Sequence, residues 1–291
     1  MYQPQLFSDL PNKPSNSLPP LLKWIGNKHR VANEIAFYFP PDFKVYYEPF
    51  LGSGAVLGTL APKRAVASDG LEPLIEIWRT LKENPQRLLL WYRTRWERFQ
   101  RGDRREVYEG IKARFNREPN PGDLLFLSRS CYGGVIRFRK DGYMSTPIGV
   151  HNPISPEAMA KRIAIWRTRT AGAQFAWCSS EEAIDQAKAG DLVYCDPPYS
   201  DTQKILYGSQ EFSLLRLFEA IGRAKRRGAF VALSIDGHKK SGNKVCDVPI
   251  TEGLFKRRIV INCGRSMLRR FQMEGKTLES EVVADRLLLT W

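Results

Sequence analysis

Asp191-Leu192-Val193-Tyr194-Cys195-Asp196-Pro197-Pro198-Tyr199 starts as a short apolar run and then changes character abruptly. Residues 192–195 have the length and composition of a buried strand. A carboxylate, two prolines and an aromatic ring therefore stand where a core strand leaves a sheet. In open α/β sheets, ligands bind beyond the carboxyl ends of the strands. Each proline removes a backbone donor and fixes φ, so this corner is stiff and its carbonyls can face a substrate.

Other strand ends fit the same scheme. Residues 45–48 read as the first central strand, 49–54 as a turn, and 55–60 as a helix start. Gly52 and Gly54 let a ligand approach the backbone of that turn, while the third glycine of a dinucleotide fingerprint is displaced to Gly58. Residues 64–68 read as a second strand ending at Asp69, 21 residues after Glu48. A carboxylate there is placed to accept hydrogen bonds from a ribose diol. Its competing role is a helix cap ahead of Pro73 and Leu74. Upstream, Gly26-Asn27 reads as a loop flanked by Trp24 and Lys28. Val31, Ile35, Ala36 and Phe39 then recur at helical spacing until Pro40-Pro41. Downstream, strands are expected at 174–177, 229–234, 258–261 and 287–290, and helices at 179–187 and 212–226.

Residues 78–180 interrupt this alternation. Within 79–118 the chain carries twelve Arg or Lys against six acids, interleaved with Trp78, Leu81, Leu88, Leu89, Trp91, Tyr92, Trp96 and Phe99. That mixture predicts a small helical bundle with a basic outer face, part of it ordinary surface laced with ion pairs. An apolar segment, 124–130, leads into residues 131–149. There Asp141-Gly142 is a hairpin-turn signal between two strand-like arms. A β-ribbon carrying Arg137, Arg139 and Lys140 has the dimensions to enter a DNA groove. Residues 153–166 predict a helix leading back to the sheet. A second basic stretch, 256–276, holds seven basic side chains and one acid; it reads equally as a connector or as a phosphate contact. The Lys- and Gly-rich loop 238–244 also suits phosphate contact. Residues 1–19, with four prolines among Asn, Ser and Gln, read as a flexible arm.

Charge narrows the partner. The 291 residues include 45 Lys and Arg against 31 Asp and Glu, a formal net charge of +14. Such an excess points to a polyanion. Five scattered cysteines argue for a reducing compartment and against a disulfide framework. Three scattered histidines offer no zinc pattern, so no metal is expected. No signal peptide and no membrane span are expected either.

Asp196-Pro197-Pro198-Tyr199 resembles the catalytic signature of amino-group DNA methyltransferases. From about residue 20 to 290 the chain resembles the DNA adenine methylase (Dam-like) family. Lys23-Trp24-Ile25-Gly26-Asn27-Lys28 is similar to that family's first cofactor motif. Glu48-Pro49-Phe50-Leu51-Gly52-Ser53-Gly54, followed by Asp69, is similar to its next cofactor pattern, and residues 132–138 to its hairpin. The motif order resembles the alpha group. The resemblance implies a Rossmann-like α/β sheet (20–77 and 172–291) that uses S-adenosylmethionine. It also implies an inserted helical and β-hairpin DNA-recognition domain (78–171).

The implied cofactor contacts are Trp24, Lys28, Glu48, Phe50, Gly52, Gly54, Asp69 and Asp196. The implied catalytic set is Asp196, Pro197, Pro198 and Tyr199, and the implied DNA contacts are Arg129, Tyr132, Arg137, Arg139 and Lys140. The implied reaction is methylation of the N6 amine of adenine in double-stranded DNA after base flipping. It would be carried out by a monomer in the cytoplasm of a prokaryotic or phage-infected cell, close to the nucleoid. Two departures stand out. Leu71 replaces a frequent Asn near the ribose, and Tyr143-Met144-Ser145 replaces a Phe-Asn where bases are contacted, so no recognition sequence is carried over. A cytosine amine or an RNA adenine remains open as acceptor. A relative without catalysis also remains open, although intact Asp196 and Tyr199 count against it.

Overall fold

The structure is a computed structural model that describes residues 18–198, 212–236, 251–265 and 282–291. Seven strands form one sheet: β1 (Tyr46–Glu48), β2 (Ala65–Asp69), β3 (Ala173–Trp177), β4 (Leu192–Cys195), β5 (Phe230–Asp236), β6 (Arg257–Arg265) and β7 (Val282–Leu289). Their order is β3-β2-β1-β4-β5-β7-β6. Strands β1 to β5 are mutually parallel, and β7 lies antiparallel between β5 and β6. This is the Rossmann-like α/β sheet that was expected.

Every residue of β1 and β4 is buried. Strands covered on both faces tend to be apolar along their length, which is why β4 reads as a continuous run. Alternate side chains enter opposite layers. Tyr46, Tyr194, Leu287 and Leu289 pack with α1 (Ala32–Phe37), α2 (Ala55–Leu60) and α3 (Glu72–Glu83). Tyr47, Val193, Cys195, Leu233 and Leu288 pack with α8 (Ser180–Asp185) and α9 (Leu214–Arg226). The chain leaves β1 toward β2 and returns as β4 on the other side of β1. The resulting switch point lies between Glu48 and Asp196, where such sheets bind ligands.

Between α3 and β3 come α4 (Pro85–Arg101), α5 (Arg104–Arg117), α6 (Pro121–Ser130) and α7 (Pro156–Arg169). Their starts are locally encoded. Asn84, Asp103, Asn120 and Ser155 each accept a hydrogen bond from the backbone N–H three residues on, and proline opens α4, α6 and α7. The expected apolar segment 124–130 is most of α6. It is buried on every side from Gly122 to Ser130, so it lacks a polar face to betray its helical period.

Three expectations change in detail. Residue 78, where the insertion was expected to begin, lies inside α3, and the Trp78 ring stacks on Phe175 of β3 at 5.8 Å. The expected hairpin is a sparse ribbon, bridged at Phe138–Met144 and Cys131–Ile148, rather than two regular strands. The last residues of the expected arm are part of the fold: Leu18 packs on the core, and the Pro19 carbonyl accepts from the Trp166 indole at 2.8 Å. Residues 1–17, 238–244 and 266–276 lie outside the described residues.

Asp123 ties the insertion together. Its carboxylate is fully buried and accepts from Arg95 at 2.6 Å, from Asn120 at 2.8 Å and from Arg114. Burial alone would raise its pKa, but the bonds from Arg114, Asn120 and Arg95 outweigh this and hold it below the usual carboxylate range. Asp123→Asn leaves two guanidinium groups without their counter-charge and should cost about 3 kcal/mol at pH 7. Because the folded value is depressed, this contribution is complete above the unfolded value near 3.9 and is lost as pH falls through the folded one. Urea unfolding of both proteins should therefore show a wide gap at pH 7 that narrows in acid below pH 4.

Candidate active site

The carboxyl ends of β1 and β4 and the loop before α1 enclose a narrow cleft of about 30 Å³. Trp24, Lys28, Glu48, Phe50, Gly52, Asp196, Pro197 and Pro198 line it. At its centre the Lys28 ammonium, almost wholly buried, lies 2.7 Å from Asp196 Oδ1 and 3.6 Å from Asp285 Oδ2. It also donates to the Gly26 carbonyl at 3.2 Å. Burial would lower the Lys28 pKa, but the carboxylates of Asp196 and Asp285 outweigh it, raise the pKa above the usual lysine value and keep the group ionised.

Glu48 lies beside this pair with the opposite character. Burial, reinforced by the Asp196 charge, raises its pKa to about 8, although the Tyr46 hydroxyl donates to it at 2.8 Å. Glu48 is thus largely protonated at neutral pH, while Asp196 on the same cleft is ion-paired with the Lys28 ammonium.

A second, wider cleft of about 890 Å³ joins the first along Phe50 and Pro198. Asp69 lies at its edge, with Trp177, Arg216 and Phe212 around it. Asp69 accepts from Gly52 N–H at 3.0 Å and Leu71 N–H at 3.1 Å, and burial lifts its pKa to about 6 against those amide bonds. It does not cap α3, whose cap residue is Leu71. It anchors the glycine turn and presents a carboxylate to the wide cleft. Trp177 is half exposed there at the end of β3, an aromatic at a strand's carboxyl end that the sequence reading passed over.

The glycines are matched to indoles. A Cβ on Gly52, at φ +48°, would come within 2.9 Å of Trp24, and one on Gly54 within 3.0 Å of Trp78. Gly54 serves the turn and this packing rather than lining the cleft. The displaced Gly58 has the same role toward Trp166, where a Cβ would lie 2.5 Å away. The cleft therefore has the donor set expected for S-adenosylmethionine: an ammonium, carboxylates, a glycine cradle and aromatic walls.

The expected DNA contacts separate into two groups. Arg137, Arg139 and Lys140 are exposed on the ribbon, with Ile136, Phe138 and Met144 turned inward. The Arg139 guanidinium lies 4.2 Å from the centre of the exposed Tyr143 ring, and Tyr132 is half-buried. Arg129 is different. It is buried, donates to the carbonyls of Pro20 and Leu21, and has its pKa pushed down to about 10 by burial and the Arg162 charge. It braces the chain from inside instead of facing a groove. The α4–α5 surface keeps Arg93, Arg98, Arg101, Arg105 and Arg117 exposed. Tyr199 lies outside the described residues.

Residues 24–219 match the profile of the D12 class N6 adenine-specific DNA methyltransferases. The chain belongs to this family. It is 27% identical over 235 residues to the type II methyltransferase M1.LlaDCHI of Lactococcus lactis subsp. cremoris, covering 75% of this chain and 81% of that one. It is 29% identical over 244 residues to the type II methyltransferase M.MjaIII of Methanocaldococcus jannaschii, covering 74% and 83%. With the retron Ec67 DNA adenine methylase of Escherichia coli it shares 30% identity over 189 residues, covering 62% and 64%. Among solved structures, the rRNA methyltransferase aviRa from Streptomyces viridochromogenes superposes with a TM-score of 0.36 at 14% identity, over 96% of this chain and 88% of that one.

Within this D12-class chain, the Leu71 departure leaves the Asp69 anchor intact, because it is the Leu71 backbone N–H that Asp69 receives. Among the described residues no helix is long and apolar enough to cross a membrane.

Glu48 gives the site a pH signature. Its folded pKa, about 8, exceeds the unfolded carboxyl value, so the folded state holds an extra proton between about pH 4.5 and 8. Stability from this group therefore falls as pH rises through that window, by up to about 1.4 kcal/mol per pH unit. Glu48→Gln should flatten the fall, as read from melting temperature against pH.

Proposed function

We propose that this protein is a site-specific DNA methyltransferase that transfers the methyl group of S-adenosylmethionine to the N6 amine of adenine in duplex DNA. The observation that carries the reading is the Asp196 carboxylate, pinned by Lys28 at 2.7 Å on a proline-stiffened corner at the sheet's switch point. Family membership supports the adenine N6 acceptor. When bound, S-adenosylmethionine supplies an electrophilic methyl: its S–CH3 bond breaks with the pair left on sulfur, and the new bond forms at nitrogen.

An aromatic amine is a weak nucleophile because its lone pair is delocalised into the ring. Asp196 and the Pro197 carbonyl can each accept one amine N–H, which favours a pyramidal nitrogen with its lone pair aimed at the methyl. An ionised carboxylate has about four lone-pair sites, so a bond to Lys28 leaves it acceptor capacity. Asp196 is also placed to take the proton that the amine loses after transfer. The contribution is positioning and fixed electrostatics from groups held in place before the substrate arrives. Gly52, Trp24, Glu48 and Lys28 would hold the methionine end of the donor, and Asp69 with Phe50 its nucleoside end. Pro198 stiffens the corner between them.

A paired adenine hides this amine, so the base must leave the stack, at a cost of a few kcal/mol. Helices α4 to α7 and the ribbon form the DNA-facing unit. Arg137, Arg139 and Lys140 meet the groove, and the arginines of α4 and α5 offset the flipping cost through phosphate contact.

Nucleoside mass spectrometry of duplex DNA after reaction should show N6-methyladenine. N4-methylcytosine, or no methylated base, would overturn the reading. Asp196→Ala should lower the rate on the order of a thousandfold while DNA affinity stays within about threefold. That affinity should fall steeply with salt.

A further inference from the structure

β7 ends in three buried leucines, Leu287 to Leu289, yet two residues before them Asp285 is a carboxylate only 6% exposed. Strand alternation puts Asp285 on the side of Leu287 and Leu289, the layer that Tyr46 and Tyr194 also enter. Glu48 and Asp196 follow those tyrosines at the same parity. Three carboxyl groups from β1, β4 and β7 thus converge on one side of the sheet, and Lys28 lies among them. Its ammonium is 2.7 Å from Asp196 and 3.6 Å from Asp285.

Among the described residues, the titratable groups that also bear on the cluster are Tyr46 on β1 and Tyr194 and Cys195 on β4. Asp236 stands opposite Asp285 in the β5–β7 ladder.

A carboxylate that must accept an amine N–H has two requirements, fixed orientation and adequate basicity. Lys28 supplies the first but works against the second, because a full positive charge at hydrogen-bond distance weakens the carboxylate as an acceptor. A second carboxylate across the ammonium resolves the conflict. It shares the charge, holds the lysine from a rigid strand, and adds a negative potential that strengthens Asp196. We propose that Asp285 is a positioning residue for the methylation described above, fixing Lys28 and keeping Asp196 a strong acceptor for the substrate amine. The proposal rests on the methyltransferase reading and adds a residue that does not touch the substrate.

The test is single-turnover methylation against pH for the wild type, Asp285→Asn, Asp285→Glu, Lys28→Met and the Lys28→Met/Asp285→Asn double variant. Cofactor affinity by calorimetry, DNA affinity and melting temperature are measured alongside. Asp285→Asn should slow methyl transfer by about tenfold or more, with both affinities within about threefold. Removing a negative charge beside Asp196 makes it bind its proton less tightly, so the acid limb should move to lower pH. Asp285→Glu should restore most of the rate. In the Lys28→Met background, Asp285→Asn should have a smaller effect on the rate than in the wild type, because the holding of Lys28 is already lost and only the direct charge on Asp196 remains.

The proposal falls if Asp285→Asn keeps the wild-type rate and acid limb. It also falls if its factor is the same with and without Lys28, or if the loss follows a lowered melting temperature with the limb unmoved. A wild-type protein that does not methylate adenine would instead overturn the functional reading itself.

Discussion

The Lys28–Asp196 ion pair is the constraint on which the rest depends. It joins residues 168 positions apart, from the loop before the first helix to the end of the fourth strand. Removing two charges from water is expensive, and a buried pair alone often fails to recover that cost. Here the ammonium also donates to the Gly26 carbonyl and is ion-paired with Asp285 at 3.6 Å, so it is oriented rather than merely neutralised. A pair of this kind is weak evidence for stability but strong evidence for a fixed orientation. Orientation is what a positioned acceptor needs before the substrate arrives.

The same economy of space shapes the neighbouring turn. Gly52, Gly54 and Gly58 each face a tryptophan: Trp24 from the loop before α1, Trp78 from α3 and Trp166 from α7. The Trp78 and Trp166 rings meet at 5.2 Å, and the Trp78 indole donates to the Gly52 carbonyl at 3.2 Å. The glycine pattern that resembled a nucleotide fingerprint is thus also a packing code. Only the first of these glycines lines the cleft, while the others let large rings approach the backbone.

Much of this was legible in the chain. Residues 192–195 could be read because both faces of β4 are covered, which makes the strand uniformly apolar. Helix α2 starts at Ala55 as expected, since a glycine turn precedes it, and ends at a left-handed Ala61. Trp24, Lys28, Glu48, Phe50, Gly52 and Asp196, singled out on motif alone, come together around one cleft. What failed was information held in tertiary context. An arginine beside a basic ribbon looks like a phosphate contact until the fold buries it, as it does Arg129. Asp285 escaped because its strand was read from its leucines, starting at residue 287. An acid just upstream of an apolar strand looks like its solvent-facing end until the neighbouring strands show which layer it enters.

Arg129 shows why the insertion is not an independent module. The Arg129 guanidinium from α6 and that of Arg162 from α7 both donate to the Pro20 carbonyl. Trp166 donates to Pro19, and Leu21 and Leu22 behind them are fully buried. Trp24, which lines the narrow cleft, follows two residues later. One apolar cluster runs without a break from Tyr194 at the sheet to Phe115 and Phe138 beneath the ribbon. Interiors packed at this density deform by discrete rearrangement rather than by gradual yielding. A displacement of α6 or α7 relative to the sheet would therefore have to break the bonds at residues 19–21 or carry with it the loop that holds Lys28 against Asp196.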